Sequence, residues 1–300
     1  MKILAAVVTH NRCELLERCL DGLAQQSRAC DQVLVIDNAS TDATPEMLQR
    51  RGVLTIRQDN LGSAGGWHRA NAYAVEHDFD AIWLMDDDGF PDPAALAKLE
   101  AELSAGRACA ASVVLCEDAR ERFVFPFPKL NRHGFPVIFG FPRKVHLLRE
   151  LAAIAPNGIY PFAHLFNGAL ISIPEIRRIG NVDAGYFMFG DEVDFFCRLR
   201  KDGDVVSVLD AFHYHPDVGS RAYSPVKVYY YVKNSLIIHR RYFDQAWLRN
   251  LLAVGVVLLR VARRNGPLAA LSYLAGPNAG MFYRAIHRGL AGQVGKDFTP

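Results

Sequence analysis

Polar and apolar positions change rhythm several times along the chain. It begins on an apolar run, Ile3 to Val8, which predicts a buried strand. Cys13 to Gln25 then follows helical spacing, Val33 to Asp37 reads as a strand, Thr44 to Arg50 as a helix and Thr55 to Arg57 as a strand. A further helix, Gly66 to Glu76, leads into the very apolar strand Ala81 to Met85. Alternation of this kind builds βαβ units, so the fold class is α/β, with a mostly parallel sheet flanked by helices. Ligands of an open parallel sheet bind beyond the carboxyl ends of the strands, which directs attention to the residues just after each strand.

The second half is less regular. Residues 117–165, rich in Pro, Phe and Gly, predict an irregular excursion with a short helix at Arg143 to Ala153. A strand follows at Val205 to Leu209, and from Ala211 onward helices are expected over Pro225 to Tyr242, Gln245 to Arg263 and Leu268 to Leu290. The expected division is one large unit over residues 1–220, in halves 1–110 and 111–220, and a helical appendage over 221–300. No internal repeat or low-complexity segment is visible.

Composition adds a charge asymmetry. The formal net charge is +2, yet residues 221–300 carry 12 Lys/Arg against 2 Asp/Glu, and residues 1–220 carry 22 against 30. A basic end on an acidic body argues against nucleic-acid binding and favours an anionic membrane leaflet met by one end of the molecule. The six cysteines show no ligand-like spacing and read as free thiols of a reducing, cytoplasmic compartment. The apolar start is too short for a signal peptide, and the apolar stretch Leu251 to Leu259, closed by Arg249 and Arg260, falls short of the ~20 residues of a membrane span.

Three segments carry chemistry. Asp86-Asp87-Asp88 directly follows the strand Ile82-Trp83-Leu84-Met85. Adjacent carboxylates repel unless a cation shares them, and alternation lets Asp86 and Asp88 clamp a divalent ion, Mg²⁺ or Mn²⁺, from one side. A helix cap would need one acid, not three. The run Asn60-Leu61-Gly62-Ser63-Ala64-Gly65-Gly66-Trp67-His68-Arg69 predicts a small-residue loop opening a helix whose N-terminus favours an anion, with Arg69 in reach of a phosphate. It lacks the Gly-Lys-Ser/Thr ending of an NTP-hydrolysing P-loop. Asp37, at the end of a core strand, can accept a hydrogen bond from a base N–H, and Asn38, Ser40 and Thr41 supply turn chemistry after it.

Together with Val7-Val8-Thr9-His10-Asn11-Arg12, these motifs resemble glycosyltransferase family 2, closely over about the first 110 residues. NLGSAGGWHRA and WLMDDDGFPDPAAL look like its galactofuranosyl and rhamnosyl transferase branch. The resemblance implies a GT-A fold with a Rossmann-like sheet. It also implies a nucleotide-sugar-binding half in which Thr9, Asn11, Arg12, Asp37, Asn60, Gly62, Gly65, Gly66, Arg69, Asp86 and Asp87 serve the donor. Phe187 to Arg198 resembles the family's base motif, with the base at Glu192 and Asp191 as the alternative. A hydroxyl nucleophile needs such a group to take its proton.

By the same resemblance a histidine after the strand ending at Leu209 completes the metal site, either His213 or His215, which alternation puts on one face. Asn167 and Gly168 belong to an acceptor-side segment where small residues leave room for a sugar, and Trp67 could stack on a base or sugar. Tyr229 to Asn234 and Arg284 to Lys296 resemble C-terminal elements of the branch. The helix Trp247 to Arg264 could be a peripheral foot on the inner face of the membrane, a buried helix or a homo-oligomer interface.

The implied activity is an inverting, metal-dependent transfer of galactofuranose from UDP-galactofuranose, or of rhamnose from dTDP-rhamnose, to a glycan or lipid-linked acceptor in bacterial surface polysaccharide assembly. Two other classes compete. A sugar-nucleotide pyrophosphorylase would carry a Gly-rich loop with Arg and Lys after the first strand, where this chain has Thr9-His10-Asn11-Arg12. An inactive sugar-binding subunit would be expected to lose acids from the two acidic motifs, and this chain keeps them.

Overall fold

The computed structural model describes residues 1–219 and 224–298. The first half runs β1 (Ile3–Thr9), α1 (Cys13–Ala24), β2 (Gln32–Asp37), α2 (Thr44–Arg51), β3 (Leu54–Arg57), α3 (Gly62–Glu76), β4 (Ala81–Asp86), β5 (Phe90–Pro91) and α4 (Ala95–Ser104). The second half runs β6 (Cys109–Cys116), β7 (Ala119–Pro128), β8 (Lys144–Leu147), α5 (Leu148–Ile154), β9 (Ile159–Tyr160), β10 (Asn167–Ser172), α6 (Ile173–Ile179), α7 (Asp191–Asp202) and β11 (Val205–His215). Helices α8 (Pro225–Tyr242), α9 (Ala246–Asn265), α10 (Pro267–Ala275) and α11 (Ala279–Leu290) complete the described chain. The expected boundary at residues 220 and 221 lies outside the described residues.

The sheet has the order β3-β2-β1-β4-β10-β6-β11-β5. Strands β3, β2, β1 and β4 are mutually parallel, as the βαβ rhythm predicts. Beyond β4 the sheet is mixed: β10 runs antiparallel to both β4 and β6, while β6 and β11 are parallel. Apolar residues on the two faces of the strands form separate cores, one under α3 and α6 around Trp67, Ile82 and Phe195, the other under α1, α2 and α4 around Trp83, Leu16 and Leu99. A third core lies among the C-terminal helices, and α8 belongs to two of them, with Ile237 and Ile238 under the sheet and Val228 and Val232 among the helices.

Several expected boundaries move. The span 117–165 contains the ten-residue strand β7, whose Phe123 and Phe127 are buried while Pro126 and Pro128 interrupt its pattern. Proline is tolerated near a sheet edge, so the composition concealed a strand. The segment expected as helix from Arg143 splits into β8 and the shorter α5. The expected helix Leu268 to Leu290 is two helices, broken at Gly276-Pro277, since proline cannot continue the ladder. The last strand, expected to stop at Leu209, continues through an irregularity to His215.

These details set the site. Pairing of β1 with β4 places Val8 opposite Asp86, so the ends of both strands open at one place. Two-residue β5 pairs with β11 through Pro91 and His213, which pulls the chain after the acid triplet toward the histidines. Helix α3 starts at Gly62, four residues earlier than expected, and packs on β1 through Gly66. A Cβ at position 66 would stand 2.5 Å from Val8 Cγ1. Gly66→Ala should therefore cost about 1–3 kcal/mol through overpacking. The check is the urea midpoint, and a midpoint equal to wild type would mean this contact has slack.

Candidate active site

Each carboxylate of the triplet meets a different element. Asp87 accepts from Thr9 Oγ1 at 2.7 Å and from Arg12 Nη1 at 2.8 Å. Asp88 lies 2.9 Å from the same Arg12 nitrogen and 2.8 Å from His215 Nε2. Asn167 Nδ2 approaches Asp86 Oδ2 at 3.5 Å, brought there by a bulge in β10 at Asn167-Gly168. Burial, then Asp88, Asp87 and Glu192, raise the Asp86 carboxyl well above the usual carboxylate range. Burial also raises Asp87, against the pull of Arg12 and Thr9. Burial opposes the charge on Arg12, but Asp87 and Asp88 outweigh it and hold the guanidinium above its ordinary pKa.

The base motif faces this triplet from α7. Glu192 Oε1 accepts from Leu165 N at 2.6 Å and Phe166 N at 3.4 Å, and burial, then Asp191, raises the carboxyl to about 7. Asp191 accepts from Ser63 Oγ at 2.9 Å, and burial lifts it to about 6. A third acid of the motif, Asp194, is tied up by Arg198 Nε at 2.8 Å, Tyr242 Oη at 2.7 Å and Tyr186 Oη at 3.2 Å, so it serves as an anchor. Before α7 the backbone passes through left-handed φ at Phe187 (65°), Phe189 (57°) and Gly190 (88°), a strained path for the two phenylalanines. Asn234 Nδ2 holds it by donating to the carbonyls of Tyr186, Met188 and Phe189 at 3.1, 2.9 and 2.7 Å.

The glycine segment differs from its expected part as an open phosphate cradle. The first turn of α3 docks on protein: Asn60 Oδ1 accepts from Gly62 N at 3.0 Å, and Phe187 O from Ala64 N at 3.3 Å. A Cβ at Gly62 would run into the Phe187 carbonyl and one at Gly65 into the Leu61 side chain. The small residues thus make room for neighbouring backbone and side chains. Arg69 is exposed on α3 and makes no hydrogen bond or ion pair among the described residues. Trp67 is fully buried and stacked on Phe166 with centroids 4.7 Å apart, so it offers no face to a sugar.

On the β2 side, Asp37 is buried, accepting from Ser40 N at 2.8 Å and Arg57 Nη1 at 3.0 Å. Asn11, at φ 53°, joins two loops: its N–H donates to Ser40 Oγ and its Oδ1 accepts from Thr41 N. Sequence reading missed Arg57, Ser63 and Asn234. The pleat after Asp37 could have suggested Arg57, which pairs with it across β2 and β3; nothing local marks Ser63 or Asn234 as partners of the base motif.

The donor set suits a hard divalent ion. Asp88 and His215 Nε2, 2.8 Å apart, bring a carboxylate and an imidazole to one place, where both would be available to such an ion. Neither nitrogen of buried His213 has a hydrogen-bond partner among the described residues. Burial, then His215, lowers its pKa to about 3, so it is a neutral imidazole, and a Cβ at Gly89 would meet its Nε2. No group of three His, Cys, Asp or Glu side chains among the described residues already encloses a metal position. Mg²⁺ and Mn²⁺ sites served by one or two protein carboxylates and completed by phosphate and water have this character.

The chain as a whole is similar to known proteins in family profile, in sequence and in fold. The profile of the family described as Glycosyl transferase family 2 matches residues 5–152. Galactofuranosyltransferase GlfT1 of Mycolicibacterium smegmatis is 32% identical over 231 residues, which are 75% of this chain and 74% of that protein. Among solved structures, GalNAc-T7 with UDP, GalNAc and Mn²⁺ superposes with a TM-score of 0.61 at 14% identity, covering 82% of this chain and 49% of that one, so this chain spans about half its length. A mannosyltransferase from Pyrobaculum calidifontis with GDP-Man and Mn²⁺ gives a TM-score of 0.54 at 16% identity over 96% of this chain and 80% of the other. The fold is GT-A and the protein is a glycosyltransferase. It belongs to glycosyl transferase family 2.

Two predictions follow from the base motif. Glu192 has its folded pKa raised from 4.5 to about 7, so the stability that its protonated form retains is fully present below pH 4.5 and is lost as pH rises through 7. Glu192→Gln should flatten that part of the melting-temperature profile and melt above wild type at alkaline pH; parallel profiles for the two proteins would refute the assignment. Asn234→Ala removes an amide whose two N–H groups are shared among three buried or part-buried carbonyls and should lower unfolding free energy by about 2–3 kcal/mol, measured by chemical denaturation, while the conservative Asn234→Gln should recover little because its longer arm meets the same tight turn.

Proposed function

We propose that this enzyme transfers galactofuranose from UDP-galactofuranose to a glycan or lipid-linked acceptor by a single displacement that inverts the anomeric centre. The observation that carries this reading is the raised Glu192 carboxyl, near pH 7, placed within electrostatic reach of Asp86. A base with a pKa near the operating pH combines a useful fraction of carboxylate with real proton affinity. Glu192 accepts the acceptor hydroxyl's proton, and the backbone amides of Leu165 and Phe166 fix its Oε1. Asp191, bonded to Ser63, ties this helix start to α3.

On the donor side, Asp88 with His215 or His213, and Asp86, would hold a divalent ion, Mn²⁺ or Mg²⁺, that neutralises charge on the departing diphosphate. Arg12 holds Asp87 and Asp88 in place, and Thr9 orients Asp87 from β1. Asp37 with Arg57 forms the far wall of the nucleotide region, beside a surface cleft of about 340 Å³. The choice of galactofuranose rests on the 32% identity to a galactofuranosyltransferase. dTDP-rhamnose is the second reading, favoured by the likeness of the NLGSAGGWHRA segment to both branches.

Incubation with a panel of nucleotide sugars and Mn²⁺ or Mg²⁺ should raise the melting temperature with the true donor, since a ligand that binds only the folded state stabilises it by mass action. Asp88→Ala should abolish that shift. Glu192→Ala should keep it while lowering turnover by roughly 10²–10⁴-fold, and wild-type kcat/KM should rise with pH through about 7. Turnover surviving in both variants would sink the mechanism; a shift with dTDP-rhamnose alone would replace the donor and leave the mechanism standing.

A further inference from the structure

The C-terminal helices leave one apolar face uncovered. Trp247, Leu251 and Leu259 lie along α9 four and then eight residues apart, with Gly255 between the leucines, and are 73%, 65% and 49% exposed. The opposite side of the helix buries Val257 and Val261 in the C-terminal core. Leu268 and Leu271 extend the apolar surface onto α10, 80% and 57% exposed. An exposed helix face in a soluble protein ordinarily carries charge, and this one carries leucine and tryptophan.

The charge around the stripe identifies what covers it. The 52 residues from Gln245 to Lys296 contain seven Lys/Arg and no Asp or Glu. Arg260, Arg263 and Arg264 line a surface cleft of about 460 Å³ at the C-terminal end of α9. No helix among the described residues is long and apolar enough to cross a membrane. An apolar stripe bordered by arginines, on helices that do not combine the length and apolarity of a span, is the pattern of a helix lying in the plane of a bilayer surface. A second copy of the chain on the same face would set the cluster of Arg260, Arg263 and Arg264 against itself, and Asp217 near Arg264 would offset only part of that charge. Nucleic acid would leave the leucines unused.

We infer that the α9–α10 face docks on an anionic lipid bilayer, with Trp247, Leu251, Leu259 and Leu268 in the interface and Arg260, Arg263 and Arg264 at the headgroup phosphates. The docked face is joined to the base loop: Arg260 Nη1 donates to Tyr231 Oη at 3.1 Å, and the Tyr231 ring stands edge-on to Phe189, two residues before Asp191. Docking would thus hold the acceptor side of the site at a fixed height over the lipid. This inference does not depend on which sugar is transferred.

The test is co-sedimentation of the full chain with vesicles of phosphatidylcholine alone and of phosphatidylcholine mixed with phosphatidylglycerol. Binding is expected to the mixed vesicles, more than about tenfold weaker for Arg263→Gln/Arg264→Gln, since each basic residue near an anionic surface contributes roughly a fivefold factor. Leu251→Gln/Leu259→Gln should weaken it comparably, with melting temperature unchanged because both side chains are exposed. Trp247 emission should shift to the blue on mixed vesicles, a shift absent in Trp247→Phe; the other two tryptophans are buried already. Equal binding to neutral vesicles, no binding to either, or binding indifferent to both double variants overturns the inference. So does a dimer in light scattering that Leu251→Gln/Leu259→Gln converts to monomer, which would assign the face to a second copy.

Discussion

Three carboxylates packed at the end of one core strand impose the constraint that the rest of the site answers. Like charges in a desolvated place are costly, and each must find a partner or take a proton. Asp87 is answered by Thr9 and Arg12, and Asp88 by Arg12 and His215. Asp86 receives only a long contact from Asn167, and its carboxyl is raised well above the ordinary range, while that of Asp87 is raised against the pull of Arg12 and Thr9. The partners come from β1, the loop after it, β10 and β11. The strand order, with β1 and β10 flanking β4 and β5 reaching across to β11, is what collects them.

The second acidic motif depends on a strained loop and therefore on what braces it. Left-handed phenylalanines at 187 and 189 persist because Asn234 of α8 takes three carbonyls in turn. Helix α8 is itself pinned by the C-terminal tail: buried Lys233 Nζ donates to Asp297 at 2.7 Å, and Tyr229 Oη to the same carboxylate at 2.9 Å. The tail also reaches the donor side, where Lys296 Nζ donates to Asn60 O and Gly295 N to Gly185 O. Residues far apart in the chain thus hold the base loop, the α3 start and the C-terminal helices as one framework. The basic C-terminal region braces the site as well as extending from it.

Much of this was legible because period and charge are local properties. The apolar run of β4 followed by Asp86 to Asp88 announces both the strand and the chemistry at its end, and the four parallel strands follow from the alternation of rhythms. Other features are set by tertiary pairing. The glycines of α3 read as a ligand cradle, but Val8, Leu61 and Phe187 fill the space that a side chain would occupy, and no pattern within residues 60–69 reveals those neighbours. Trp67 looked available to a sugar and is buried against Phe166 for the same reason. Strand β7 was concealed by its prolines, and β11 ran on past Leu209 because an irregularity between Val208 and Phe212 breaks the alternation by which a strand is recognised.

The filled start of α3 bears on how the donor's charge is met under the proposed transfer. With its amides facing Asn60 and the Phe187 carbonyl, the helix has little dipole to offer a diphosphate. Arg12 is the cation at the triplet, and it is committed to Asp87 and Asp88. With all three acids ionised against one guanidinium the triplet would carry a net charge of −2, which a divalent ion would cancel and a monovalent one would not. A diphosphate arriving alone would add to an already negative place, so donor and divalent ion should enter as a complex or in that electrostatic order. The raised Asp86 reflects that imbalance: burial and the neighbouring acids favour its protonated form, and a divalent ion beside it would favour the carboxylate.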